Sequence, residues 1–210
     1  YDGSDQPEVR IFYGSDIDFE VGFTQSHLTG DLDSGISDDY TYTHAINMGS
    51  ATNVTVNGVQ FTAEGNGATT NSGTNWSITQ GWTNHFADAT AASNTDYQST
   101  VQGKLGSMLS KGFRFGGDAN DGQKSKIKLT GLTDGQAYVF AFYNQAWGGI
   151  RNFDVSCSDL AGTIRVNQDQ YDGETFDGLL VECTYIADGT EAEFTFDPIV
   201  SSNTLHLYAF

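Results

Sequence analysis

Residues 126–143 constrain the fold of this chain more than any other stretch. Ile127 and Leu129 alternate with Lys126, Lys128 and Thr130, a Gly/Asp turn follows at Asp134-Gly135, and Tyr138, Val139, Phe140, Ala141, Phe142 and Tyr143 form a run of aromatic and small apolar residues. Alternation with a period of two belongs to a half-buried strand, and a short apolar run bounded by turn residues belongs to a buried one. The stretch therefore reads as strand, turn, strand. The same rhythm recurs along the chain, in about ten short strand-like runs separated by Gly, Asn, Asp, Ser and Thr, which is the pattern of a sandwich. Within it, Asn57-Gly58 is the strongest short hairpin signal. No window carries a long apolar stripe at helical spacing, which argues against a helical protein.

Two regions depart from this rhythm. Residues 1–39 contain alternating runs around Val9, Ile11 and Tyr13 and around Ile17, Phe19 and Val21, then an acidic loop. They read as a strand-bearing N-terminal arm ahead of a domain spanning residues 40–210. Residues 64–100 form a long insertion rich in Gly, Ser, Thr and Asn that carries Trp76, Trp82, Phe86 and Tyr97. Loops of that length carry function or structure of their own.

Charge narrows the partners. Nine Lys and Arg face 27 Asp and Glu, for a formal charge of −18. Such a surface repels phosphate backbones, so nucleic acid is excluded as a partner. No run of 18 apolar residues exists that could form a spanning helix. Lys104, Lys111, Arg114, Lys124, Lys126 and Lys128 are six of the nine basic residues and lie in one segment. Lys124, Lys126 and Lys128 share one face of a strand, either a solvated or lysine-guarded edge or a contact surface for an acidic partner.

The residues from Tyr42 to Gly49 (Y-x-x-A-I-N-M-G), 56–63 (V-N-G-V-Q-F-T-A), 131–138 (G-L-T-D-G-Q-A-Y) and 185–189 (Y-x-A-D-G), with Trp147, Arg151, Asp169-Gln170 and the closing H-L-Y-A-F, carry a resemblance. Over residues 40–210 the chain resembles a β-sandwich domain of secreted planctomycete and verrucomicrobial proteins that bear surface-sorting tails of the PEP-CTERM type. The resemblance implies a jelly-roll-like sandwich and a secreted or cell-surface location. It brings no catalytic residues.

The chemistry-bearing residues point away from catalysis. His27, His44, His85 and His206 form no H-E-x-x-H pair, and no G-x-S-x-G is present. His206 alternates within a strand-like run and reads as a structural hydrogen-bonder. Carboxylates are so numerous that no pair stands out for glycoside hydrolysis. Asp118, Asn120 and Asp121, and Asp31 and Asp33, resemble fragments of calcium loops. Neither has the twelve-residue spacing of an EF-hand, and both compositions also suit ordinary turns. Ca²⁺ is the one cofactor they bring into question. Cys157 and Cys183 have no zinc spacing and are expected to form a disulfide in a secreted chain, with two buried thiols as the alternative.

Two non-enzymatic functions follow. The first is a structural subunit of the cell surface or extracellular matrix that assembles into filaments with other copies of itself. Its contacts would be Val9, Ile11 and Tyr13, adding an edge strand, with Lys124, Lys126 and Lys128 meeting acidic surface. The alternative is a carbohydrate-binding module that holds a polysaccharide on Trp76, Trp82, Tyr97 and Trp147, aromatic platforms beside hydrogen-bonding Asn and Gln side chains.

Overall fold

The computed structural model describes residues 9–13, 17–65, 72–79, 84–87, 98–116, 124–145, 151–168, 178–199 and 204–210. Its strands are β1 (Val9–Tyr13), β2 (Ile17–Leu28), β3 (Ile46–Asn47), β4 (Val54–Val56), β5 (Val59–Ala63), β6 (Ser72–Gly73), β7 (Trp76–Thr79) and β8 (Asn84–Phe86). The seven-residue helix α1 (Gly103–Leu109) follows. Then come β9 (Phe113–Gly116), β10 (Ser125–Thr130), β11 (Ala137–Gln145), β12 (Asn152–Cys157), β13 (Leu160–Asn167), β14 (Gly178–Ile186), β15 (Glu191–Pro198) and β16 (Leu205–Leu207).

Among the last eight strands the pairing is nested. β12 pairs with β13, β11 with β14, β10 with β15 and β9 with β16, all antiparallel. One long hairpin with its two arms wound into a double sheet gives this pattern, which is a jelly roll. The chain beyond β16 closes it: the Tyr143 amide donates to the Ala209 carbonyl at 2.9 Å and the Tyr208 amide to the Tyr143 carbonyl at 3.0 Å. The all-β, jelly-roll-like sandwich expected from the sequence is thus the observed architecture. The earlier strands extend it. β7 and β6 widen one sheet to six strands, in the order β13-β12-β15-β10-β7-β6, and β2 and β1 widen the other, in the order β1-β2-β14-β11.

The arm is paired with its own chain. β1 lies against residues 17–21 of β2, and residues 22–28 of β2 lie against β14. Val9, Ile11 and Tyr13 supply backbone to this hairpin, and their side chains fall outside the described part of the structure. The Asn57-Gly58 turn is where the sequence put it. Both residues have positive φ (47° and 85°), so Val56 and Val59 face each other across a tight hairpin.

Two apolar clusters follow from strand alternation. The first fills the space between the sheets, where Phe140 of β11 stacks on Phe194 of β15 at 3.9 Å and Phe142 meets Phe196 edge-on at 5.1 Å. The second lies on the opposite face of the smaller sheet. There Leu28, Tyr143 and Leu180 are covered by Leu105, Met108 and Leu109 of α1 and by Val56 and Phe61 of the β4–β5 hairpin. This outer layer covers only one end of that sheet face.

The expected disulfide is not formed. Cys157 on β12 and Cys183 on β14 are buried free thiols, in hydrogen-bond contact within the first cluster. There they pack as small apolar groups.

The lysine expectation also changes. β10 is no edge strand, being flanked by β15 and β7. Lys124, Lys126 and Lys128 each reach a carboxylate of β15: Asp197 at 2.6 Å, Glu193 at 2.5 Å and Glu191 at 2.6 Å. The positive stripe is therefore neutralised within its own sheet.

Candidate functional site: a tyrosine-lined groove

The open end of the smaller sheet's outer face is the candidate site. On β11, Phe140 and Phe142 point into the core, so alternation turns Ala137, Val139 and Ala141 outward. Ala141 lies at the margin of the outer apolar cluster, and beyond it Val139 remains 56 % exposed. One exposed valine needs no explanation, but this one lies on the floor of a groove of about 860 Å³. That volume suits a ligand site. Alanine at 137 and 141 leaves the floor low, and Tyr40, Tyr42 and Tyr138 line the groove with Thr133, Gln136 and Glu182.

A strap of residues 40–45 crosses this region and is held at defined points. The Tyr42 hydroxyl accepts the Ser37 amide at 3.1 Å and donates to the Ser37 carbonyl at 3.0 Å. His44 Nε2 lies 2.8 Å from the Asn75 carbonyl and its Nδ1 lies 2.9 Å from the Thr43 hydroxyl. A carbonyl only accepts, so Nε2 carries the proton and Nδ1 accepts from Thr43. Burial lowers the His44 pKa and favours the neutral ring, while the bond to the Asn75 carbonyl works the other way. The strap ends where the Ile46 amide donates to the Phe210 carbonyl at 2.8 Å. A second cleft of about 500 Å³ shares Tyr42, Thr43 and His44 and continues toward Gln60, Thr62 and Glu64.

The tyrosines differ in freedom. Tyr40 is 65 % exposed and Tyr42 37 %. Tyr138 is half-buried, stacks on Tyr185 at 6.0 Å, and accepts the Thr133 amide at 3.0 Å. Tyr143 is buried and gives its hydroxyl proton to the Ser34 carbonyl at 2.9 Å, so it serves the fold. Burial, with the charge of Glu182, holds the Tyr143 phenol well above its ordinary range.

Glu182 is the one carboxylate among the described residues that line the groove. It stands at the middle of β14, between Thr24 of β2 and Ala141 of β11. Burial raises its pKa, and a hydrogen bond from Thr24 partly offsets that. A lone carboxyl group can accept hydrogen bonds, whereas glycoside hydrolysis commonly uses a pair. The groove thus combines aromatic faces, hydroxyl and amide groups and one acceptor-rich carboxylate.

The residues singled out from the sequence fare differently. Trp76 is buried, packs edge-on against Phe210 at 5.8 Å, and has Gly73 against its indole, so it offers no stacking face. It fills core because β7 pairs with β10, setting Trp76 opposite Leu129. Trp82, Tyr97 and Trp147 lie outside the described residues, as do Asp118, Asn120 and Asp121. Asp31 serves the fold: its two oxygens accept the Lys104 and Leu105 amides at 3.0 and 2.7 Å, capping α1 from outside. Gly103 permits that approach, since a Cβ there would lie 2.4 Å from an Asp31 oxygen. Asp33 likewise accepts from the Thr29 amide at 2.8 Å and the Gly30 amide at 3.0 Å. Among the described residues no group of three or more His, Cys, Asp or Glu is arranged to hold a metal ion. None of their helices is long and apolar enough to cross a membrane.

Sequence reasoning missed the groove itself. Its signals were small residues at 137 and 141 opposite bulky ones at 138, 140 and 142, and the Tyr40-Thr-Tyr-Thr-His44 run just before the first steady strand.

Comparison with known proteins adds little to this geometry. No protein-family model matches the chain, and no curated protein matches its sequence. One solved structure, an exo-β-1,3-galactanase from Phanerochaete chrysosporium with β-1,3-galactotriose, aligns at a TM-score of 0.35 and 15 % identity. The alignment covers 63 % of this chain and 26 % of the galactanase chain. Nothing about the galactanase's activity transfers to this chain at that level of likeness.

Proposed function

We propose that this chain is a secreted, non-enzymatic carbohydrate-binding domain that holds a polysaccharide in the groove between the strap and the outer face of β11. The observation that carries the reading is the groove: a floor of Val139 and Ala141 beside Tyr40 and Tyr42, with Gln136, Thr133 and Glu182 among them. A tyrosine face carries partial negative charge and attracts the C–H edges of a sugar ring, while the polar groups take its hydroxyls. The single carboxylate of the described lining favours binding over hydrolysis. The acidic composition fits an extracellular setting.

Affinity electrophoresis of the whole chain in gels containing soluble polysaccharides tests this. Retardation in at least one gel, weakened by Tyr40→Ala, is the expected result. Unchanged mobility in every gel would remove the proposal. The filament reading draws no support from the described residues, because the lysines meant to meet acidic surface already have partners on β15 and β1 pairs with its own β2.

A further inference from the structure

Resting on that carbohydrate-binding reading, we propose that the groove selects uncharged polysaccharide and that Glu182 sets the selection. Glu182 points out of the smaller sheet from the centre of β14, and its cross-strand neighbour on β11 is Ala141, too small to cover it. Thr24 of β2 occupies part of its hydrogen-bonding capacity. An ionised carboxylate has about four acceptor sites, so the rest can take two neighbouring sugar hydroxyls, both of which donate.

No Lys or Arg is among the described residues that line the groove. The one basic residue type there is His44, and both of its ring nitrogens are engaged within the strap, by Asn75 and Thr43. A uronate or sulfate group would therefore lie beside Glu182 with no cation from this lining to balance it. Like charges at close range in a half-buried setting repel strongly. Rejection of the wrong ligand by an unmatched charge is an ordinary route to specificity. Lys124, Lys126 and Lys128 cannot compensate, since they stand on the other sheet and are paired with its own carboxylates.

The test compares polymers that differ in charge alone. Polygalacturonate and its carboxyl-reduced, neutral counterpart are cast in parallel affinity gels, beside laminarin, xyloglucan and alginate, at one fixed salt concentration. The whole chain is expected to be retarded by one or more neutral polymers and to pass freely through polygalacturonate and alginate. Glu182→Gln should lose about tenfold in neutral-polymer affinity and narrow the gap between neutral and acidic gels. Asp197→Asn removes the same single negative charge from the opposite sheet and should leave the preference unchanged, which separates a local effect from the overall charge of the chain. Retardation by polygalacturonate or alginate as strong as by the neutral polymers overturns the inference while leaving carbohydrate binding intact, and so does a Glu182→Gln chain with unaltered preference. Free passage through all five gels overturns the inference and the carbohydrate reading together.

Discussion

The outward faces of the two sheets meet their surroundings in opposite ways. On the larger sheet, Lys126 and Lys128 of β10, with Lys124 just ahead of it, stand beside Glu193, Glu191 and Asp197 of β15, so every charge of this ladder has a partner across the strands. On the smaller sheet, Val139 is open to solvent and Glu182 faces a cavity without a lysine or arginine among its described lining. The inner faces are alike, both apolar and packed into one cluster. A self-satisfied surface is solvated and finished, whereas one that leaves an apolar floor and a carboxylate facing a concave space is suited to a ligand. Charge pattern alone pointed to the first face. Shape points to the second.

The largest expected effect tests whether the faces depend on one shared wall. Phe194 lies between Glu193 and Thr195 of the ladder strand and stacks on Phe140, next to Val139 of the groove floor. Phe194→Ala should cost about 3–5 kcal/mol, the usual range for emptying a buried phenylalanine site. Urea unfolding followed by tyrosine fluorescence and by circular dichroism should shift together. Two separated transitions would mean that the sheets are not one cooperative unit.

Acid separates the two sides next. His206 of β16 is fully buried, and burial, with the nearby charge of Arg151, holds its pKa well below the ordinary 6.5. The folded ring stays neutral while the unfolded ring takes a proton, so the fold has its full stability above pH 6.5 and loses it as pH falls toward the lowered value. The slope from this residue is at most about 1.4 kcal/mol per pH unit. His44, also lowered by burial, adds in the same direction. Denaturation midpoints measured from pH 7.5 to 5 should fall for the natural chain and fall less steeply for His206→Gln. An equal slope in both would show that this histidine titrates alike in the folded and unfolded chain.

These contrasts were only partly legible in the sequence. The strand–turn–strand of residues 126–143 was readable because alternation and turn chemistry are local. The Asn57-Gly58 hairpin was readable for the same reason. What could not be read was pairing between distant segments. That Lys126 meets Glu193 depends on the β10–β15 register, 67 residues apart. That Asp31 caps a helix beginning at Gly103 depends on contacts 73 and 74 residues apart. Trp76 looked exposed because its sequence neighbours are polar, yet β7 carries it into the core. The groove exists because the outer layer stops short of Val139, a fact of layer extent that no local pattern records.

A smaller effect sharpens the ligand side of the comparison. Tyr40 is largely exposed, so Tyr40→Ala should leave the unfolding midpoint nearly unchanged. It should weaken polysaccharide binding about tenfold, or ~1.4 kcal/mol. Calorimetric titration with whichever polymer retards the chain gives both numbers. A drop in stability with unchanged affinity would assign Tyr40 to the fold instead of the groove.

The smallest effect belongs to the ladder. Exposed ion pairs contribute about 0–1 kcal/mol each because solvent screens them and two flexible side chains must be ordered. The partners here qualify: the Lys124 and Asp197 side chains are 50 % and 45 % exposed. Lys126→Gln should therefore change stability by less than about 1 kcal/mol at moderate salt. The triple replacement of Lys124, Lys126 and Lys128 by Gln leaves Glu191, Glu193 and Asp197 unbalanced, and its cost should shrink as salt is raised. Polysaccharide binding should be untouched by it, because these residues lie on the sheet opposite the groove. If the triple variant instead lost polymer affinity while remaining folded, the ladder face would be the one that meets the ligand, and the contrast between the two faces would be reversed.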